Sequence, residues 1–300
     1  MFSCCIPRLR IESQAALILN LPCGFAVAEL ANAFLDTSST VEKRISRAKR
    51  VLGGSHRLFE LDKPSDVTER LPGVNRALYL LFNEGYHGAS AESSVRIELC
   101  YEAIRLTCSI SEHPLTASPA THALLALMYL NAARLPARMN EMGNLKSLPL
   151  QERFRWDPTL ISKGEQLLNL SARGPELISH HLEAAIASVH AHAHTMEETD
   201  WEQIVSLYDQ LLKLQPTPVV ALNRSIAIAQ ARGPEQGLAE INQIAELHRL
   251  HVYPFYFAAL GDLEFRRGQV ELARDHFRTA AALARNPMER RFFEHRIVSC

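Results

Sequence analysis

Residues 30–50 of the chain, LANAFLDTSSTVEKRISRAKR, indicate how its N-terminal part folds. Leu35 and Asp36 break the helical pattern, and the hydroxyls of Thr37 and Ser38 can cap the start of a new helix. Val41, Ile45 and Ala48 then recur at the i, i+4, i+7 spacing, which gives that helix one narrow apolar face. The stretch therefore predicts the turn and the second helix of a helix-turn-helix.

The other faces of this predicted helix are basic. They carry five cations and one acid, which are Lys43, Arg44, Arg47, Lys49, Arg50 and Glu42. An exposed basic helix with a capped N-terminus suits the major groove and the phosphates of duplex DNA. One alternative is a solvated amphipathic helix with surface lysines. A separate alternative for Arg47 alone is a surface ion pair with Glu42 or Glu29. The turn, the apolar face and the basic face together favour contact with nucleic acid.

The composition is ordinary for a globular protein, with 300 residues, 47% hydrophobic and 22% charged, and a formal net charge of -1. This length suggests about two domains. Any affinity for nucleic acid must come from a local basic patch, because the whole chain is nearly neutral. No run of about 18 apolar residues occurs, so no membrane span is expected. The six cysteines show no CxxC spacing and follow no signal peptide, so we expect reduced thiols in a cytoplasmic protein.

Helical patterns run through almost the whole chain and no strand is convincing, so the predicted class is all-α. Residues 1–55 are predicted to form a three-helix helix-turn-helix domain. Residues 56–75 contain glycine, proline and mixed charges, and they are predicted to be a linker with at most a short helix. Residues 76–300 are predicted to form a helical C-terminal domain, with helices over residues 76–83, 91–108, 119–134, 159–172, 177–191, 199–213, 218–231, 234–247, 253–267, 269–284 and 287–298.

The joints between the later helices repeat. The pentapeptide ARGPE occupies residues 172–176 and 231–235, and each copy is predicted to end one helix at glycine and to start the next at proline. Gly233 and Gly268 lie 35 positions apart, close to the period of about 34 residues in tetratricopeptide repeats. The following helix has the small–large–small spacing of nested hairpins at Ala273, Phe277 and Ala280. We therefore predict an array of helical hairpins that resembles tetratricopeptide repeats.

Motifs of common enzyme sites are missing from the sequence, which has no GxxxxGK or GxGxxG loop and no recognisable Ser-His-Asp or Cys-His grouping. His190 and His194 have an i, i+4 spacing that can bind zinc, but no HExxH motif and no nearby cysteine accompany them, so a packed or solvated helix is favoured. Asn83 and Glu84 are interpreted as a polar turn after an apolar helix. They could bind a ligand, but helix capping and a buried hydrogen-bond network are favoured. We expect no enzymatic activity, no cofactor and no metal.

Several stretches resemble a known family in combination. They are the helix-turn-helix over residues 9–50, YLLFNEGY at 79–86, ELCYEAIRL at 98–106, HALLALMYLNAARLPAR at 122–138, HLEAAIASVHA at 181–191, TDWEQIVSLYDQL at 199–211 and PVVALNRSIAIA at 218–229. The first is similar to region 4 of extracytoplasmic-function sigma factors, which binds the −35 promoter element. The others are similar to those sigma factors that carry a C-terminal extension resembling tetratricopeptide repeats.

This resemblance implies promoter DNA and the RNA polymerase core as partners, and a further protein partner for the C-terminal array. By position in the motif, the residues implied to reach base edges are Ser38, Ser39, Glu42, Lys43 and Ser46. Those implied to contact phosphates are Arg44, Arg47, Lys49 and Arg50.

The start of the chain departs from the family pattern. Members begin with region 2, which docks on RNA polymerase and melts the −10 element, whereas residues 2–9, FSCCIPRL, resemble the segment between regions 2 and 4. We therefore expect a chain without region 2, which is a fragment, a sequence with a late start or a shortened relative. The alternative function is a protein–protein scaffold whose helix-turn-helix is vestigial.

Overall fold

The computed structural model describes residues 1–34, 36–55, 63–87, 95–141 and 143–300. Throughout these residues the regular elements are helices, which confirms the predicted all-α class. The β-type pairing that they contain is an isolated antiparallel bridge between Met139 and Leu145. None of the helices in these ranges is both long and apolar enough to cross a membrane.

The N-terminal unit consists of α1 (Ile11–Asn20), α2 (Val27–Phe34) and α3 (Ser38–Gly53). The chain continues through α4 (Pro64–His87), α5 (Ile97–Glu112), α6 (Pro119–Ala132), α7 (Leu135–Arg138), α8 (Pro158–Ser171), α9 (Ser179–His192), α10 (Trp201–Leu214), α11 (Pro218–Arg232), α12 (Pro234–Asn242), α13 (Pro254–Arg266), α14 (Val270–Ala282) and α15 (Pro287–Ser299). Short 3-10 turns cover Phe2–Cys4, Leu148–Leu150, Arg153–Arg155 and Leu247–Val252.

Most helices after α5 start with a proline in the first turn, because this position needs no backbone N–H donor. Four of these prolines follow a capping side chain that accepts a backbone N–H, which are Ser118, Asp157, Thr217 and Asn286. These local signals explain why the starts of α6, α8, α11 and α15 agree with the sequence pattern to within one residue.

The start of α4 corrects the predicted linker. The helix begins at Pro64 and continues through Pro72, so residues 64–75 are helical, and the part of the linker at 56–62 lies outside the described residues. An interior proline costs a helix one hydrogen bond. Packing outweighs this loss here, because α4 lies directly against α1. A Cβ added at Gly73 would be 2.1 Å from Oε1 of Gln14.

One hydrophobic core connects the N-terminal unit with the first helices of the array. Leu19 of α1 and Ile45 of α3 belong to the same cluster as Leu78 of α4, Cys100 of α5 and Leu124 of α6. The boundary expected between residues 55 and 76 therefore does not coincide with a break in packing.

The rest of the chain is a succession of packed helix pairs, with α6 against α8 and α9, α10 against α11, α11 against α12, and α13 against α14. Ala273 and Ala280 are fully buried and Phe277 is 1% exposed, so the predicted small–large–small face is confirmed as core. A Cβ added at Gly261 would be 2.9 Å from the Phe277 ring. Nη2 of Arg285 reaches the backbone oxygen of His87 at 3.4 Å, across 198 residues of sequence. The far end of the array therefore curls back towards α4.

The two ARGPE copies do not share a conformation, which corrects the prediction that both join helices in the same way. Gly233 has a φ of 103° and α12 starts directly at Pro234. Gly174 packs against Pro119 instead, and α9 starts only at Ser179.

Candidate nucleic-acid interface

The turn between α2 and α3 is held by Asp36 and Thr37. Oδ1 of Asp36 accepts the backbone N–H of Thr37 at 2.8 Å, and Oγ1 of Thr37 accepts the backbone N–H of Thr40 at 3.3 Å. Of the two hydroxyl residues that the sequence offers as caps, Thr37 is therefore the N-cap of α3, and Ser38 is the first residue of the helix. Because of this cap, α3 begins at Ser38, immediately after the turn.

The apolar face of α3 packs against α1 and α2. Val41, Ile45 and Ala48 are 0%, 4% and 1% exposed, which confirms the predicted stripe. Burial of three side chains of this size contributes on the order of a few kcal/mol. Because this stripe is docked, the remaining faces of α3 must point away from α1 and α2.

These remaining faces are exposed, and they hold eight of the nine residues predicted to contact DNA: Ser38, Ser39, Glu42, Lys43, Ser46, Arg47, Lys49 and Arg50. Within the described parts of the chain, the four cations of this set form no ion pair. They are therefore available to neutralise phosphates, while the serines lie near the start of the helix.

Arg44 is placed differently from the other predicted contacts. Its Nη2 pairs with Oδ2 of Asp36 at 2.8 Å, and its guanidinium lies 5.1 Å from the centre of the Phe34 ring. The side chain is 24% exposed. Arg44 therefore braces the turn between α2 and α3, a role that the sequence analysis did not assign to it.

Glu29, one of the two acids considered as a partner of Arg47, is engaged elsewhere. Its carboxylate accepts the backbone N–H of Ala26 at 2.8 Å and pairs with Arg96 at 3.2 Å. The Arg96 guanidinium also lies 5.9 Å from the centre of the Phe25 ring. Arg96 thus connects the array with α2, and the sequence carried no signal for this contact.

The FNEGY segment is not a polar turn after a helix, which corrects that interpretation, because α4 continues to His87. Glu84 is 4% exposed and faces the interior. Gly85 is the joint with α5: its backbone oxygen accepts the N–H of Arg96 at 2.7 Å. A Cβ at this glycine would be 2.8 Å from the backbone nitrogen of Cys100. The segment therefore joins two helices closely.

The paired histidines do not share a helix, because α9 ends at His192. His190 is 8% exposed, with its ring 5.3 Å from the ring of Trp201, whereas His194 is exposed beyond the helix end. In the described ranges, no cluster of three or more His, Cys, Asp or Glu side chains is arranged to hold a metal ion.

The chain is 37% identical to the uncharacterized protein R00370 of Rhizobium meliloti (strain 1021) over 289 residues, which are 96% of this chain and 68% of that protein. The chain belongs to the family of this protein. Residues 70–172 in addition match a Family of unknown function (DUF6596). This segment runs from α4 to the end of α8 and so begins the array. No solved structure gives a significant match.

Proposed function

We propose that this protein acts in transcription initiation as a DNA-binding protein of the sigma-factor type. In this proposal α3 contacts the −35 element of a promoter, the RNA polymerase core is the second partner, and the helical array holds α3 in place and receives a further protein. The work is binding without catalysis, and it takes place in the cytoplasm. The observation that supports the proposal is the exposed basic face of α3, whose cations lack partners in the described residues.

The electrostatics of α3 suit this role. The whole chain has a formal net charge of -1, so its field is weak at a distance. The exposed side of α3 concentrates Lys43, Arg47, Lys49 and Arg50 around Glu42. Such a patch gains affinity for duplex DNA by releasing counterions from the phosphates. Ser38 and Ser39 lie at the N-terminal end of the helix, which in helix-turn-helix proteins contacts the base edges.

The test is the salt dependence of binding to duplex promoter DNA. We expect the log of the affinity to fall linearly with the log of the salt concentration, with about 0.9 of slope for each phosphate contact. The double variant Arg47→Glu, Lys49→Glu should bind more weakly. Its slope of log affinity against log salt should be shallower by the amount expected for about two phosphate contacts. The matched control is Arg290→Glu, Arg291→Glu, which makes the same charge change at two exposed positions of α15.

An unchanged slope in the α3 variant, or an equal loss in the α15 control, would remove α3 from the interface. That result would favour the alternative, a protein–protein scaffold with a vestigial helix-turn-helix. The continuous core between α1, α3 and α4–α6 is the observation that is compatible with this alternative. The exposed cations argue against it, because a scaffold has no need for four unpaired cations on one helix.

A further inference from the structure

Three arginines come together where α4, α7, α8 and α9 meet. Arg134 and Arg138 lie one helical turn apart at the two ends of α7, and Arg153 lies in the 3-10 turn before α8. The indole of Trp156 lies beside both Arg134 and Arg153, with 5.3 Å from the ring centre to each guanidinium. We refer to Arg134, Arg138, Arg153 and Trp156 as the arginine cluster.

Two of these arginines donate hydrogen bonds to backbone oxygens at the C-terminal ends of helices. Nη2 of Arg138 donates to the backbone oxygen of Tyr86 at 3.0 Å, in the last turn of α4. Nη1 of Arg153 donates to the backbone oxygens of His190 and Ala193 at 2.9 Å each, at the end of α9. The C-terminus of a helix carries about half a negative elementary charge, so each contact offsets part of one arginine charge.

Arg134 has no comparable partner. Its hydrogen bond is from Nε to Oε1 of Gln151, at the long distance of 3.4 Å. Within the described residues, none of the three arginines forms an ion pair with a carboxylate.

The two helix ends offset about one of the three charges, and the carboxylates of Glu197 and Glu198 act on Arg153 without pairing with it. The positive charge that remains is therefore concentrated at Arg134 and Arg138. Arg134 and Arg153 are both half-buried, whereas Arg138 is 8% exposed. Of the two that solvent reaches, Arg134 is the one that does not donate to a helix end.

The surrounding groups respond to this positive field. Burial, followed by Arg134 and Arg153, lowers the pKa of His190 to about 3. Burial, followed by Arg138, Arg134 and Arg285, holds the pKa of His87 well below its ordinary value. The pKa of Arg134 itself is lowered by burial and by Arg138. Burial is the larger cause at both histidines, and Arg134 adds to it at each of them.

Buried polar atoms without a hydrogen-bond partner among the described residues also gather here. They are the hydroxyl of Tyr86, Nε of Arg138, Nε1 of Trp156 and Nδ1 of His190. The guanidinium of Arg138 lies 4.0 Å from the centre of the Tyr86 ring. Such groups are rare in folded proteins, and a concentration of them marks a place where structure alone does not account for the polar residues.

We propose that the arginine cluster binds a small oxyanion, the phosphate or carboxylate group of a soluble ligand, through the guanidinium of Arg134. The planar fork of an arginine donates two parallel hydrogen bonds to such a group, and the charge of the ligand balances the excess in the cluster. Arg138 and Arg153 supply the field and stay bonded to the helix ends. This site is separate from α3, so it does not depend on the proposed DNA binding.

The test is calorimetric titration of the full chain with inorganic pyrophosphate and with citrate, in two separate arms at constant ionic strength. We expect saturable binding of at least one of them, accompanied by a change in tryptophan fluorescence because Trp156 lies beside Arg134. Binding of pyrophosphate alone would identify a phosphate ligand, and binding of citrate alone a carboxylate ligand. No saturable binding in either arm would overturn the proposal.

The variants locate the site. Arg134→Gln should weaken binding at least tenfold, and Arg134→Lys, which keeps the charge but loses the fork, should weaken it less. Arg173→Gln, at an exposed arginine after α8, is the matched control and should bind like the parent protein. The proposal fails if Arg134→Gln and Arg134→Lys both bind like the parent. It also fails if binding is lost in Arg47→Glu, Lys49→Glu, since the anion would then occupy α3.

Discussion

Glu183 of α9 is a carboxylate whose titration should be visible near neutral pH. Its Oε2 accepts the hydroxyl of Tyr79 in α4 at 3.1 Å. Burial raises the pKa of Glu183 to about 7, against the opposing effects of Tyr79 and Arg76. The folded state therefore holds a proton on this side chain at pH values where the unfolded chain has released it.

This shift gives the protein a defined pH dependence. Between the ordinary value of 4.5 and about 7 the folded state binds more protons, so its stability falls as the pH rises through this window and levels off above it. Glu183→Gln removes this titration. Relative to the parent, we expect the variant to gain on the order of 1–2 kcal/mol in free energy of unfolding between pH 5 and pH 8, after a discount for partial exposure. Urea unfolding at the two pH values measures it.

Glu176→Gln, at an exposed carboxylate before α9, is the control and should follow the parent at both pH values. If Glu183→Gln follows the parent as closely as this control does, the carboxylate is not buried in the way that its contact with Tyr79 implies.

The N-cap of α3 stabilises the first turn of the helix that is proposed to contact DNA. Oγ1 of Thr37 accepts a backbone N–H at 3.3 Å, and Oγ1 of Thr217 does the same for α11 at the same distance. Loss of either hydroxyl should cost about 1 kcal/mol of stability. The first turns of the two helices differ in their proposed role. Ser38 and Ser39, which are proposed to contact DNA, follow the cap of α3 directly.

We expect Thr37→Ala to lower the affinity for duplex DNA, because the first turn of α3 frays and its polar groups lose their positions. Thr217→Ala should reduce stability by a similar amount and leave DNA affinity unchanged. Parallel measurements of thermal unfolding and of DNA binding separate the two effects. A similar loss of affinity in both variants would mean that general destabilisation, and not the cap of α3, is responsible.

At the scale of the whole molecule, the continuous core predicts shared stability between the N-terminal unit and the start of the array. Leu19 of α1 is 1% exposed and belongs to the cluster that extends to α6. Leu19→Ala should cost about 2–5 kcal/mol. Because the core is continuous, we expect amide hydrogen exchange to rise in α4–α6 as well as in α1–α3.

The control for this prediction is Leu222→Ala in α11, a side chain that is also 1% exposed but belongs to a different cluster. Its effect should remain in α11–α13, because each pair in a helical array contacts mainly its neighbours. If Leu19→Ala raises exchange in residues 1–55 alone, the two parts are independent units in spite of their common core.

The sequence by itself determined the features that depend on local spacing and backbone chemistry. The apolar stripe Val41, Ile45 and Ala48 is buried as its period predicts, and the start of α3 follows the cap at Thr37. Prolines at first turns placed the starts of most later helices. These signals can be read from the sequence because they involve groups within a few residues of one another.

Only the tertiary structure decided what depends on partners distant in the chain. It extended α4 through Pro72 because α1 packs there, and it gave the two ARGPE copies different conformations because Gly174, unlike Gly233, lies against Pro119. It also turned Arg44 to Asp36 and brought Arg134 beside Trp156. A local sequence states which groups are present, whereas burial and charge depend on the neighbours that the fold supplies from elsewhere.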